Sequence, residues 1–147
     1  QVRRLARGLA PVELGDVGLD GALEQLVKDV QEAYRLTCVF RDPGAARHIK
    51  GKTAIHLYHI AQEALNNAAR HGHPSRLDVT LTSDGTHGCL AVEDDGTGFD
   101  RHAQQGHGMG LQIMRHRATM IGGTLEIGNR PGGGSRVACR FELQIPA

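Results

Sequence analysis

The sequence predicts an α+β fold in two layers, with a mostly antiparallel sheet on one side and helices on the other. Segments of alternating polarity cluster in hairpin-like pairs, residues 77–82 with 89–93 and residues 124–127 with 136–143. A long segment with apolar residues at three- and four-residue spacing lies outside these pairs, at residues 52–71. Strands that follow one another in hairpins form a sheet, and the helices that lie outside these hairpins pack on it. The order of the segments therefore favours a two-layer sandwich.

Length and composition suit one domain and exclude several classes of partner. The chain has 147 residues, a formal net charge of +1, no Trp and 3% aromatic residues. A charge this close to zero gives no field that attracts nucleic acid or membranes, and so few aromatic residues disfavour a platform for single strands. The three cysteines, Cys38, Cys89 and Cys139, lie in apolar runs without a CxxC motif, which indicates reduced thiols in a cytoplasmic core.

The first elements follow from local patterns. Residues 1–10 carry apolar side chains at helical spacing between arginines, and Pro11 ends the pattern, so they predict the end of a longer upstream helix. Residues 20–34 predict an amphipathic helix with Asp20 as its N-cap. Residues 36–41 predict a strand.

The later elements are also predicted from local patterns. The helix over residues 52–71 is expected to end at Gly72. Residues 99–107 are polar and without a period, and we expect them to form a short mobile lid. A further helix is predicted over residues 109–121, and the Gly-rich run at residues 129–134 predicts the turn before the last strand.

A carboxylate and a carboxamide lie one turn apart on the polar face of the long helix. Glu63 and Asn67 fall almost opposite its apolar stripe. An amide oxygen suits Mg²⁺, which takes phosphate oxygens as further ligands, and a Glu one turn earlier can orient or deprotonate a nucleophile. Arg70 is a candidate phosphate donor and His71 a candidate for the pocket rim. A solvated helix face is the alternative.

An acidic, glycine-rich segment follows the return strand, at Asp94, Asp95, Gly96, Thr97 and Gly98. A carboxylate at a strand end can accept a hydrogen bond from a ligand amine, such as that of adenine. Glycines beside it let the backbone pass close to a flat ring. The alternative is an ordinary acidic β-turn.

A second glycine cluster, at Gly106, Gly108 and Gly110 with Leu111, precedes a predicted helix. Free N–H groups and the helix dipole bind anions at such a position. The spacing matches neither the dinucleotide fingerprint nor a P-loop. A flexible linker is the alternative for this cluster. Nine histidines are scattered along the chain, and His56 with His59 could form half of a zinc site, but no third ligand has suitable spacing.

Together these segments resemble the ATP-binding catalytic domain of sensor histidine kinases, in the gyrase, Hsp90 and MutL ATPase superfamily. The resemblance covers nearly the whole chain. Its parts are an N box at residues 60–71, a G1 box at residues 92–99, a G2 box at residues 106–118, closing strands at residues 123–125 and 133–137, and a junction like that of nitrate-sensor-like kinases at residues 7–11 and 18–23.

The resemblance implies a role for each candidate residue. Asn67 would bind Mg²⁺, Glu63 would orient or activate the attacking imidazole, and Asp94 would bind the adenine amine. The remaining implied contacts are Gly96 and Gly98 in the adenine slot, Ser135 supporting it through water, Gly106, Gly108, Gly110 and Leu111 at the lid hinge and phosphates, and Arg70 and His71 near the phosphates.

The resemblance also implies a function and partners. The fold would be of the Bergerat type, with residues 1–10 ending a dimerisation helix and residues 11–147 forming the ATP-binding domain. The domain would pass the γ-phosphoryl group of Mg·ATP to a histidine on the dimerisation helices, and a response regulator would receive it later. The isolated chain would be a monomer and the full-length kinase a cytoplasmic or membrane-anchored homodimer.

Two features depart from the resemblance, and two rival functions stay open. No His precedes His48, so the usual phosphoacceptor is expected outside this chain, and the lid is short. One rival is a standalone serine kinase that acts on an anti-sigma-factor antagonist. The other is a module that binds ATP without phosphotransfer.

Overall fold

A computed structural model describes residues 12–42, 44–97 and 108–143 of the chain. In these ranges the helices are α1 (Val12–Tyr34), α2 (Gly51–His71) and α3 (Gly108–Met120), and the strands are β1 (Thr37–Arg41), β2 (Arg76–Ser83), β3 (His87–Asp94), β4 (Thr124–Asn129) and β5 (Ser135–Glu142). A short 3₁₀ turn covers Ala45–His48. The predicted helix end at residues 1–10 and the lid at residues 99–107 lie outside the described residues.

The five strands form one mixed sheet in the order β1-β2-β3-β5-β4. The β1–β2 pair is parallel, because α2 returns the chain between them, and the other three pairs are antiparallel. The last strand therefore lies inside the sheet, between β3 and β4. The predicted α+β fold is confirmed.

The core lies between the helices and one face of the sheet. Along β2, Leu77, Val79 and Leu81 are fully buried and alternate with more exposed residues. From α2, Leu57 and Leu65 are fully buried in the same cluster. The opposite face of the sheet carries ion pairs between neighbouring strands, so the helices cover a single face.

Helix α1 differs from the prediction. It consists of two helical segments joined at Gly18, which has a φ of 75°; the second covers the predicted helix over residues 20–34, and the first, from Val12, was not predicted. That conformation strains residues with a Cβ, so glycine suits the break. Asp20 consequently lies in the first turn after the break, and its prediction as the N-cap is wrong. None of the helices in the described ranges is long and apolar enough to cross a membrane.

The three cysteines are free thiols in strands, as expected. Burial, with a smaller contribution from Asp78, raises the pKa of Cys38 to about 11. Burial also raises the pKa of Cys139 to about 12. Because nucleophilic and metal-binding cysteines require thiolates, these two thiols are packing residues at neutral pH.

Candidate functional site

The end of β3 carries a buried carboxylate. Asp94 is 2% exposed. Its Oδ1 atom accepts hydrogen bonds from the backbone N–H of Gly96 at 2.8 Å and of Ser135 at 3.4 Å. Its Oδ2 atom accepts a hydrogen bond from the Ser135 hydroxyl. Since burying an ion without partners is costly, these donors explain how a carboxylate is tolerated here.

Glycines bring three backbone segments into contact around Asp94. A Cβ on Gly96 would collide with the carbonyl oxygen of Gly72, at the end of α2. A Cβ on Gly134, which has a φ of +99°, would collide with the carbonyl oxygen of Asp94 itself. The carboxylate is therefore enclosed by the end of α2, the turn after β3 and the turn before β5.

The turn after β3 is anchored at a second point by Asp95. Its Oδ1 atom accepts hydrogen bonds from the backbone N–H groups of Ser75, at 2.8 Å, and Arg76, at 3.0 Å. The hydrogen bond from Arg76 is the main reason that the pKa of Asp95 lies below its ordinary value. The backbone N–H of Thr97 donates to Gly72 O at 3.0 Å. These contacts fix the backbone on both sides of Gly96.

The second part of the site lies where α3 begins against α2. A Cβ on Gly110 would lie 2.5 Å from Glu63 Oε1 and 3.2 Å from the side-chain nitrogen of Asn67. Both side chains are only partly buried. The N-terminal turn of α3 therefore lies against Glu63 and Asn67, the pair predicted from the sequence. The free N–H groups and the dipole of α3 favour an anion at this position.

Helix α2 connects the two parts. Asn67 precedes Gly72 by five residues and Glu63 precedes it by nine, which corresponds to about 7.5 and about 13.5 Å along the helix axis. One helix therefore spans the distance from the enclosed carboxylate to the polar pair. This spacing suits an elongated ligand with one hydrogen-bonding end and one anionic end.

The other predicted residues fall into three groups. Ser135 donates a hydrogen bond to Asp94, and its expected support of an adenine slot through water stays a prediction. Arg70 and His71 are exposed in the last turn of α2, and Gly108 begins α3, where Leu111 packs partly buried against the core. Gly98 and Gly106 lie outside the described residues.

Two glycines and one arginine were missed as site residues. Gly72 was predicted only as a helix end, and Gly134 only as part of a turn. Arg130 lies in the same turn, and its guanidinium donates to the carbonyl oxygen of Asp94 at 3.4 Å. The run of Gly132, Gly133 and Gly134, all with positive φ, was a visible signal that this turn needs unusual backbone.

Of the two histidines on α2 that could have formed half of a zinc site, His56 lies next to an arginine and His59 next to Gln62. His56 Nδ1 lies 3.3 Å from an Arg117 guanidinium nitrogen on α3. Burial, followed by the charge of Arg117, lowers the pKa values of both His56 and His59. In the described ranges, no group of three or more His, Cys, Asp or Glu side chains is arranged to hold a metal ion.

Comparison with known proteins gives matches along most of the chain. The family model "Histidine kinase-, DNA gyrase B-, and HSP90-like ATPase" matches residues 52–145. Sensor histidine kinase MctS of Rhizobium johnstonii is 35% identical over 90% of this chain. Sensor protein VraS of Staphylococcus haemolyticus is 32% identical over 97% of this chain. The chain spans 30% and 40% of the lengths of these two relatives.

Solved structures share the fold. The ATP binding domain of PrrB from Mycobacterium tuberculosis superposes with a TM-score of 0.70 at 24% identity, over 89% of this chain and 96% of that chain. The histidine kinase domain of a blue-light activated kinase from Erythrobacter litoralis gives a TM-score of 0.72 at 19% identity, over 86% and 61% of the two chains.

Proposed function

Because this chain belongs to the family of histidine kinase-, DNA gyrase B- and HSP90-like ATPases, we propose that it binds Mg·ATP and transfers the γ-phosphoryl group to a histidine. In histidine kinases this domain is the catalytic part that binds ATP, and the relative MctS is named a sensor histidine kinase. The resemblance inferred from the sequence is thereby confirmed at the level of the family. The ligand contacts and the transfer step belong to the proposal.

The observation that carries the proposal is the hydrogen bonding of Asp94. A carboxylate offers about four acceptor positions, and three of them are taken by Gly96 and Ser135. The remaining position, on Oδ2, suits a donor such as the exocyclic amine of adenine. The absence of a Cβ on Gly96 lets the backbone approach a flat ring, and Gly98 is proposed to share this role.

The phosphate end of the ligand would lie along Glu63 and Asn67. The Asn67 side-chain oxygen would hold Mg²⁺, and the ion would neutralise phosphate charge when bound. The N–H groups of Gly108 and Gly110 at the start of α3 would donate to the phosphates, with Gly106 and Leu111 beside them. Arg70 and His71 are proposed as further phosphate neighbours.

Glu63 would hold the attacking imidazole by accepting a hydrogen bond from one of its ring N–H groups. This contact orients the other ring nitrogen and increases its basicity. Because phosphoryl transfer needs little besides positioning and charge neutralisation, a positioned carboxylate and a few donors suffice. The half-buried position of Glu63 supports this role, since its carboxylate is accessible to an approaching imidazole.

The rest of the proposed system follows the sensor kinases. Residues 1–10 would end a dimerisation helix and residues 11–147 would form the ATP-binding domain. The helices that carry the acceptor histidine belong to the same kinase, a response regulator receives the phosphoryl group, and the full-length protein is a homodimer. The isolated chain is proposed to be a monomer that works in the cytoplasm.

A titration of the chain with ATP, with and without Mg²⁺, tests the proposal. We expect Mg²⁺ to tighten binding to the parent chain, and Asn67→Ala to abolish this tightening while leaving the metal-free affinity within about twofold, since only the metal ligand is lost. Asn66→Ala is the matched control, because Asn66 is equally half-buried on the same helix but projects in another direction. Isothermal titration calorimetry measures each affinity. Equal affinity with and without Mg²⁺ in the parent chain would contradict the metal site.

A transfer assay separates the proposal from its rivals. With radiolabelled ATP and a helical segment that carries the acceptor histidine, we expect acid-labile phosphate on that segment. Acid-stable phosphate on a serine would identify the serine kinase. Binding of ATP without any transfer would identify a module that only binds nucleotide.

A further inference from the structure

Arg130 makes contacts on two sides of the site. Its backbone closes the β4–β5 turn, since Arg130 N–H donates to Gly134 O at 2.9 Å and Gly133 N–H donates to Arg130 O at 3.1 Å. Its side chain crosses to the end of β3, where the guanidinium donates to Asp94 O and lies 3.7 Å from Glu93 Oε2. The side chain is 37% exposed, so it is within reach of solvent but lies over the strand end.

The contact between Arg130 and Asp94 lies just beyond the last residue pair of the β3–β5 ladder. The β3–β5 ladder ends with the pair Glu93 and Arg136, so Asp94 has no register partner in β5. The hydrogen bonds between Asp94 and Ser135 lie just beyond that last pair. Arg130 ties the turn that carries Ser135 to the backbone of Asp94 at this point.

We infer that Arg130 is a positioning residue for the adenine-binding carboxylate, which it serves by holding the β4–β5 turn, and with it Ser135, against Asp94. This inference rests on the proposed function, because it assigns Arg130 a part in base recognition. Arg130 acts through Asp94 and Ser135 and donates to the backbone oxygen of Asp94, not to the ligand. Arg130 is therefore expected to change nucleotide affinity more than it changes the stability of the fold.

Arg136 provides a matched control. It also contacts Glu93 Oε2, at 4.0 Å, and is exposed to a similar extent, 35% against 37%. Within the described residues its side chain makes no hydrogen bond or ion pair with Asp94. Arg130→Ala and Arg136→Ala each remove one cation from Glu93, but only the first releases the turn from Asp94.

The experiment measures ATP affinity of the 147-residue chain by calorimetry, together with thermal unfolding of each variant. We expect Arg130→Ala to weaken binding by about 3- to 10-fold and Arg136→Ala by less than about twofold, with similar melting temperatures. We expect Arg130→Lys to weaken ATP binding by an intermediate factor. One ammonium group can contact Asp94 O or Glu93 but does not reproduce the guanidinium fork.

A double-mutant cycle with Asp94→Asn tests whether Arg130 acts through Asp94. We expect Arg130→Ala to have less than about twofold effect in the Asp94→Asn background, because the carboxylate that it positions is gone. An equal loss in both backgrounds, or equal losses from the two arginine variants, would overturn the inference while leaving the proposed function intact. Failure of the unsubstituted chain to bind ATP would overturn both.

Discussion

The two ends of the candidate site differ in how their polar groups are held. At the Asp94 end, backbone and side-chain donors from three segments surround one buried carboxylate. At the Glu63–Asn67 end, two half-buried side chains face the first turn of α3, and within the described residues neither makes a recorded hydrogen bond or ion pair. The Asp94 carboxylate already has three protein donors and one acceptor position left, whereas within the described residues Glu63 and Asn67 keep their acceptor positions open.

This difference indicates how recognition and chemistry are divided. A preorganised carboxylate binds its partner without further ordering, so the Asp94 end can select the base. Groups that gain their partners with the ligand suit phosphate and metal binding, where the geometry changes along the reaction. Substitutions at the two ends should therefore change different measured quantities.

The largest expected effect is on transfer, at the end with free polar groups. Glu63→Gln removes the proton acceptor but keeps the shape, so we expect the rate of phosphoryl transfer to fall by about 10²- to 10⁴-fold. ATP affinity should stay within about twofold, because Glu63 is proposed to contact the imidazole and not the nucleotide. Single-turnover transfer to helices supplied separately measures the rate. Glu24→Gln, an exposed carboxylate on α1, is the control, and a matching fall there would refute the assignment.

The next effect is on binding, at the preorganised end. Asp94→Asn keeps the size of the side chain but replaces one acceptor oxygen by a donor, which opposes the adenine amine. We expect ATP binding to weaken by roughly 10- to 150-fold, since a hydrogen bond to a charged group contributes about 1.5–3 kcal/mol. Calorimetry should give the same loss with and without Mg²⁺. Unchanged affinity would exclude Asp94 from base recognition, and Asp29→Asn on α1 serves as the control.

A smaller effect concerns stability and compares the two ends directly. A Cβ at position 96 meets the backbone oxygen of Gly72, which has little room to move, so Gly96→Ala should destabilise the fold by about 1–3 kcal/mol. At position 110 the Cβ meets the flexible end of Glu63, and Ala favours a helix, so Gly110→Ala should change stability by less than about 1 kcal/mol.

Urea unfolding of both glycine variants makes this comparison quantitative. Gly128→Ala is a control, because nothing lies within 4 Å of a Cβ at that position. If Gly110→Ala destabilises the fold as much as Gly96→Ala, the α3 contact is as rigid as the Asp94 end, and the proposed division of the site is incorrect.

The smallest effect is a pH dependence at the α2–α3 contact. Burial, followed by the charges of Arg117, Lys52, His59 and His116, lowers the pKa of His56 below its ordinary 6.5. Because the folded state then binds fewer protons than the unfolded state, this contribution to stability is complete above pH 6.5 and is lost as the pH falls below it.

Melting temperatures measured between pH 7.5 and pH 5.5 test this dependence. We expect His56→Gln to reduce the decrease in melting temperature on acidification, without abolishing it, since the pKa of His59 is lowered as well. His48→Gln, at an exposed histidine on the 3₁₀ turn, is the control. An unchanged pH profile in His56→Gln would show that the Arg117 contact does not couple to folding.

Local patterns predicted most of the elements and the polar side chains of the site. The spacing of Glu63 and Asn67, and the strand that ends at Asp94, follow from periods that are readable in the sequence. The break at Gly18 was missed because the apolar pattern alone does not reveal a positive φ. The helical segment between Val12 and this break was not predicted either.

The contacts that enclose Asp94 were beyond local prediction. Gly134 and Ser135 reach Asp94 from 40 and 41 residues away, through the register of β5 against β3. Such a contact depends on the strand order, which no local period specifies. For the same reason Arg130 could be predicted as a turn residue but not as a partner of Asp94.

The placement of β5 has a consequence for synthesis on the ribosome. A nascent polypeptide whose translation has reached only β4 has Asp94 but lacks Ser135, and the position between β3 and β4 in its sheet is still unfilled. Nucleotide binding by the nascent polypeptide would then indicate that β5 has been synthesised and has paired with β3 and β4. Retention of stalled ribosomes on immobilised ATP should therefore begin only once β5 has cleared the exit tunnel.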